Sequence, residues 1–133
     1  MSWLLDVNLI LASRWTTHAQ HLTAKAWLDS VDEFYCCPIT ELGFVRISLS
    51  VAYSATWDET QESLKALHDR SNYRFLADDV DGAAPPETGS KDTTDAHLVT
   101  LAKQSGLKLA SLDSNLLAKP WASGIVENPL DIL

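Results

Sequence analysis

Basic residues are scarce in this 133-residue sequence: ten Lys and Arg stand against eighteen Asp and Glu, giving a net charge of −8. They form no run, which excludes a nucleic-acid partner gripped by a broad basic surface. A substrate reached through bound cations is not excluded, because ions in an acidic site invert the local field. Cysteine is nearly absent too. Cys36 and Cys37 are adjacent in the apolar segment FYCC. Neighbouring strand residues point to opposite faces, so a bridge between them is not expected, and no other cysteine is there to complete a metal site. Two free thiols in a reducing compartment are the expected state. No apolar run approaches the ~20 residues of a membrane span, and no basic-then-apolar leader opens the chain. The expectation is a cytoplasmic protein without membrane contact.

What is present is core-forming. The hydrophobic fraction is 46%, with five tryptophans, enough for one domain over residues 1–133. WLLD reads as a short buried strand and VNLILASRW as a helix. HAQHLTAKAWLDSV is a second helix, and FYCC a second strand closed by Pro38, a residue suited to a helix first turn. ITELGFVRISLS continues as that helix, apolar on two sides and expected to be well buried. WDETQESLKALHDR is amphipathic, with Asp58 as its expected N-cap. NYRFLADD reads as a strand and DVDGAAPPETGSKD as an acidic loop. DTTDAHLVTLAKQSG is a helix stopped by Gly106. LKLASLD is a strand, SNLLAKPW a helical turn, and GIVENP a last strand. This alternation implies a parallel sheet covered on both faces, with sites beyond the carboxyl ends of the strands.

The acids fall at that edge. Asp6 interrupts an apolar run at the end of the first strand, where an unpartnered buried carboxylate costs several kcal/mol. Glu41 lies in the first turn after the second strand, Asp95 in a helix first turn, and Asp113 at the close of LKLASLD. Asp6, Glu41 and Asp113 can converge there, and Asp95 joins them if its loop delivers it. Its neighbours Leu98 and Ala102 suggest that it leans toward the sheet. Four carboxylates in one cleft must hold metal or shift their pKa values. Oxygen ligands select Mg²⁺ or Mn²⁺ over zinc. Each acid also has a plainer reading: Asp95 as a helix-dipole residue behind an Asp92 cap, Glu41 as a solvated charge, Asp113 as a turn former. Their joint placement outweighs these.

LLDVNLIL, ITELGFVRIS and TTDAHLVTLAKQSGLKLASLD together resemble the acidic blocks of the PIN-domain ribonucleases, specifically the VapC-type toxins of bacterial toxin–antitoxin systems. The resemblance runs nearly end to end. It implies an α/β/α sandwich with parallel strand order 3-2-1-4-5 and Mg²⁺- or Mn²⁺-dependent cleavage of RNA, with tRNA or rRNA the substrates expected. It implies Asp6, Glu41, Asp95 and Asp113 as the catalytic acids, with Asp6, Asp95 and Asp113 as metal ligands. Asn8 falls on the family's polar position two after the first acid, ordering that loop or capping the first helix. Asn115 and Thr94 are candidates for hydrogen bonds to a metal water or carboxylate, and Arg46 for a contact to RNA phosphate. His18 and His21 read as surface residues and Lys119-Pro120 as loop. A cognate antitoxin reaching into the acidic pocket follows from the same resemblance. So does a homodimer, supported by Trp15, Trp27, Phe44 and Trp57 as more large apolar residues than a small core needs.

Three rivals share some of these features. A haloacid-dehalogenase-like phosphatase requires a second Asp where Asn8 stands. A receiver domain requires a phospho-accepting Asp on a central strand that SVAYSATWDET does not supply. A PIN-like binding module without activity would not need all four acids.

Overall fold

In the computed structural model, which describes residues 2–83, 85–87 and 89–131, five short parallel strands form one sheet. The strands are β1 (Trp3–Leu5), β2 (Phe34–Cys36), β3 (Tyr73–Phe75), β4 (Lys108–Ala110) and β5 (Val126–Glu127). Their order is β3-β2-β1-β4-β5, and every neighbouring pair is parallel. Helices α1 (Val7–Arg14), α2 (His21–Ser30), α3 (Pro38–Ser48), α4 (Trp57–His68), α5 (Thr93–Gln104) and the single turn α6 (Ser114–Leu117) complete the chain. Short 3-10 turns cover Ser90–Asp92 and Pro120–Ala122.

Period-two alternation divides the core into two layers. Trp3 and Leu5 of β1, Phe34 and Cys36 of β2 and Ala110 of β4 pack with residues of α1 to α4. Leu4 and Leu109 point the other way, onto Leu98, Leu101 and Ala102 of α5 and Leu116 of α6. This is the three-layer sandwich expected from the sequence. All three β1 residues are buried, as a central parallel strand requires. The chain winds outward from β1 through β2 to β3, then returns to β4 on the other side. The strand order therefore reverses between β1 and β4, and ligands in such sheets bind at that crevice.

Local chemistry explains most boundaries. Asp6 caps α1 by accepting the Val7 N–H at 2.8 Å. Pro38 opens α3, where its missing N–H costs nothing. Gly106, at φ +69°, supplies the left-handed residue after α5. The α4 cap differs from expectation: Thr56, not Asp58, accepts the Glu59 N–H, and Glu59 reaches back to the Thr56 N–H. That reciprocal box satisfies two otherwise unpaired donors, leaving Asp58 as a first-turn charge. Asp92 is likewise not a side-chain cap for α5; its carboxylate pairs with Lys119 at 2.8 Å. Lys119 also meets Glu87 at 3.3 Å, so a lysine expected to be mere loop ties two segments together.

Burial corrects two further expectations. Helix α3 is not buried on two sides: its buried residues are Thr40, Phe44 and Ser48, a single i, i+4, i+8 stripe, and Leu42 is 68% exposed. Trp27 and Phe44 belong to the core, so they are not surplus. Trp15 stacks on Phe44 with ring centroids 5.8 Å apart, whereas Trp57 stands exposed.

Candidate active site

At the switch point, Asp6 leaves β1 and its own N–H still pairs with the Ala110 carbonyl of β4, at 2.9 Å. Its side chain is buried. One carboxylate oxygen accepts the Val7 N–H and the other accepts the Ser111 hydroxyl at 2.7 Å. Burial pushes the Asp6 pKa up, the two hydrogen bonds oppose that rise, and the nearby Asp113 charge adds to it. Asp113 closes the segment after β4. One of its oxygens accepts the N–H groups of Asn115 and Leu116, which starts α6. Asp95 comes from the first turn of α5, on the layer across the sheet edge. Its lean toward the sheet holds: Leu98 and Ala102, on the same face, are buried. No hydrogen bond or ion pair engages its carboxylate among the described residues. Burial, then the charges of Asp6, Asp113 and Asp92, raise its pKa to about 6, against a smaller lowering by Lys119.

Asp6, Asp95 and Asp113 line one cavity of about 680 Å³ between α1, α3 and α5. Thr94 and Arg46 line it as well. Arg46 is exposed and has no carboxylate partner among the described residues. Asn8 orders the loop after β4 and does not cap α1. Its amide nitrogen donates to the Ser111 hydroxyl at 3.2 Å and its amide oxygen accepts the Leu112 N–H at 3.1 Å. Asn115 is exposed on a neighbouring cavity wall and its backbone serves the start of α6.

Glu41 does not join this group. Its carboxylate accepts the Tyr73 hydroxyl and lies 3.1 Å from His68 Nε2, toward β3 and α4. Helical phase is the reason. Ile39, Leu42, Gly43, Val45, Arg46 and Ile47 line the cavity, centred on the Ile39–Gly43–Arg46 stripe, and at ~100° per residue Glu41 falls well away from that centre. The expected convergence of four acids is a convergence of three, with Glu41 held in a pair of its own.

The residue that sequence reasoning missed is Ser111. Fully buried, its hydroxyl donates to Asp6 and accepts from the Asn8 amide and the Asp113 N–H at 3.1 Å. The only signal was a small polar residue two positions before the last acid. His97 is a second omission: it pairs with Asp78 at 2.6 Å, so Asp78 is not a free surface charge. His21 bonds the Ala12 carbonyl and His18 accepts the Gln20 N–H, both away from the acids.

The donor set suits a hard divalent cation: three carboxylates face a shared cavity, and one of them has no hydrogen bond or ion pair among the described residues. They are not packed into a preformed centre, since no group of three His, Cys, Asp or Glu among the described residues meets metal-site spacing. Burial is the largest cause of the raised pKa values of Asp6 and Asp95, and repulsion among the three acids adds to it.

No family model matches the chain. Individual relatives do. Ribonuclease VapC38 of Mycobacterium tuberculosis is 38% identical over 121 residues, covering 85% of this chain and 86% of that protein. Ribonuclease VapC39 of the same organism is 33% identical over 96% of this chain and 99% of its own length. Among solved structures, M. tuberculosis VapC20, described as a sarcin-ricin loop cleaving toxin, superposes with a TM-score of 0.67. It covers 87% of this chain and 93% of its own, and at 12% identity it speaks for the fold alone. With the fold, the converging acids and relatives of this similarity in agreement, the chain belongs to the VapC ribonuclease family.

Proposed function

We propose that this chain is a metal-dependent endoribonuclease, the toxin of a toxin–antitoxin pair, and that it cleaves phosphodiester bonds of tRNA or rRNA in the cytoplasm. The observation that carries the reading is the delivery of Asp6, Asp95 and Asp113 from three distant segments into one cavity. Asp6, Asp95 and Asp113 would hold Mg²⁺ or Mn²⁺, which when bound supplies Lewis acidity at phosphate oxygens and a more acidic water. The chain's own part is orientation. Ser111 and the Val7 N–H fix the Asp6 carboxylate, while the Asn115 and Leu116 N–H groups fix one oxygen of Asp113. Asp95, with no hydrogen bond or ion pair among the described residues, is the carboxylate free to adjust. Glu41 enters the reaction only if it leaves Tyr73 and His68.

The test is incubation of the purified chain with total RNA and Mn²⁺, followed by mapping of fragment ends. Cleavage at defined sites that EDTA and Asp95→Asn both abolish is the expected result. Soluble, folded protein that leaves RNA intact would favour the binding-module alternative.

Two partners complete the proposal. A cognate antitoxin reaching the acidic cavity would bring a basic side chain to carboxylates that form no salt bridge among the described residues. A homodimer would cover some of the exposed apolar side chains Leu22, Leu42, Val51, Trp57 and Phe75. Coexpression with the neighbouring gene should relieve growth arrest, and light scattering should give twice the chain mass.

A further inference from the structure

Asp95 and Asp113 line two cavities, not one. On the α3 side lies the large, mostly apolar cavity that also holds Asp6 and Arg46. On the other side a second cavity of about 480 Å³ is lined by Lys91, Asp92, Asn115 and Lys119. The acids therefore form a ridge between two troughs. Of the ten Lys and Arg residues, three line either trough: Arg46, Lys91 and Lys119. The charge of Lys119 is already met by Asp92 and Glu87. Arg46 and Lys91 are both exposed and have no carboxylate partner among the described residues.

We propose that a single RNA strand crosses the ridge of acids with one phosphate held by Arg46 and another, on the far side, by Lys91. This rests on the ribonuclease reading above and assigns the substrate contacts that flank the reacting centre. A chain of net charge −8 repels a polyanion everywhere except where unneutralised cations stand. One such cation stands in each trough, on opposite sides of the carboxylates. The strand is single because Asp6 is only 6% exposed at the bottom of the crevice. A flexible strand can dip a phosphate toward it, whereas the regular backbone of a duplex stays on its cylinder. Recognition of unpaired loops is also the usual route to specificity in RNA.

The experiment uses the full chain carrying Asp6→Asn, so that bound RNA survives, and a fluorescein-labelled 20-nucleotide single-stranded RNA of mixed sequence. Affinity by anisotropy is measured against salt concentration. Each phosphate contact to a single strand contributes about 0.7 to the slope of log K against log salt. Arg46→Ala and Lys91→Ala should each flatten the slope by about that amount, the double variant by roughly twice as much, and Arg46→Lys should restore it. Lys25→Ala, an exposed charge on α2 lining neither trough, removes the same net charge and should leave the slope unchanged. Slopes unaltered by Arg46→Ala or Lys91→Ala, or flattened equally by Lys25→Ala, would overturn the track while leaving the ribonuclease reading in place. Failure of the Asp6→Asn chain to bind the RNA, beside failure of the wild type to cut it, would overturn both.

Discussion

The Ser111 hydroxyl donates to the Asp6 carboxylate at 2.7 Å, joining residues 105 positions apart at the point where the strand order reverses. The same oxygen receives the Asn8 amide and the Asp113 N–H, so one buried atom sets the relation of two acids. Ser111→Ala should cost about 1–3 kcal/mol, the usual penalty for stranding buried polar partners. It should also lower RNA cleavage beyond what the lost stability explains, while Ser111→Thr keeps the hydroxyl and most of the activity. Urea unfolding and a cleavage assay on the three proteins check this. Equal activity in the Ala and wild-type chains would deny Ser111 any positioning role.

Asp6→Asn should abolish cleavage with the fold intact. The amide keeps the shape but has one acceptor oxygen, so it keeps the bond from Ser111 or from the Val7 N–H and not both, while it removes a charge that repels Asp95 and Asp113. In EDTA the relieved repulsion should offset the lost bond, and the variant should melt close to wild type. Mn²⁺ should raise the wild-type midpoint and scarcely move the variant's. A variant that melts much lower in EDTA yet still cuts RNA would show Asp6 to be structural.

Asp95 predicts a pH dependence. Its folded pKa of about 6 lies above the unfolded value of 3.8. Between these values the native state keeps a proton that the unfolded chain releases, so this contribution to stability is full below about pH 4 and lost as pH rises through 6. The metal-free chain should melt higher at pH 5 than at pH 7.5, and Asp95→Asn should shrink the difference. With Mn²⁺ present the trend should oppose this, because a cation binds the ionised carboxylates. Calorimetry at the two pH values, with and without metal, measures both effects.

Glu41 and Asp95 should separate cleanly by mutation. Glu41 is largely buried and paired with Tyr73 and His68, so Glu41→Ala strands a half-buried hydroxyl and should destabilise by about 1 kcal/mol. Asp95→Ala removes an unpartnered, repelled charge and should cost little. If Glu41→Ala instead leaves the melting midpoint unchanged and abolishes cleavage, Glu41 works in the acidic cavity.

Gly43 of α3 faces Val7 of α1. A Cβ there would lie 2.7 Å from a Val7 methyl carbon. Elsewhere in a helix, Gly→Ala gains about 1 kcal/mol. Here the clash should reverse the sign, with Gly43→Ala destabilising by about 1–3 kcal/mol and Val7→Ala relieving it in the double variant.

Much of this was legible in the sequence, for identifiable reasons. The five strands and the main helices announced themselves through periodicity, and Asp6 through its oddity at the end of WLL. Strand order came from resemblance to a family, not from any local signal. Glu41 was misplaced because α3 carries apolar residues around its whole circumference, so the sequence gives no phase from which to read its inner face. Ser111 escaped because a serine inside LASLD looks like any strand residue. Its value lies wholly in partners at positions 6, 8 and 113. Thr56 was passed over for Asp58 because both suit a cap, and only the reciprocal bond from Glu59 decides between them.

The pairing of β1 with β4 has a consequence for when this site can exist. Asp6 is made well before the partners that complete its surroundings, since Asp95 follows it by 89 residues and Asp113 by 107. Long-range contacts of this kind form late, after the chain between them has been made and the sheet has closed on its central strand. If the acids cut RNA, the nascent chain stays harmless to the transcript and the ribosome that are making it.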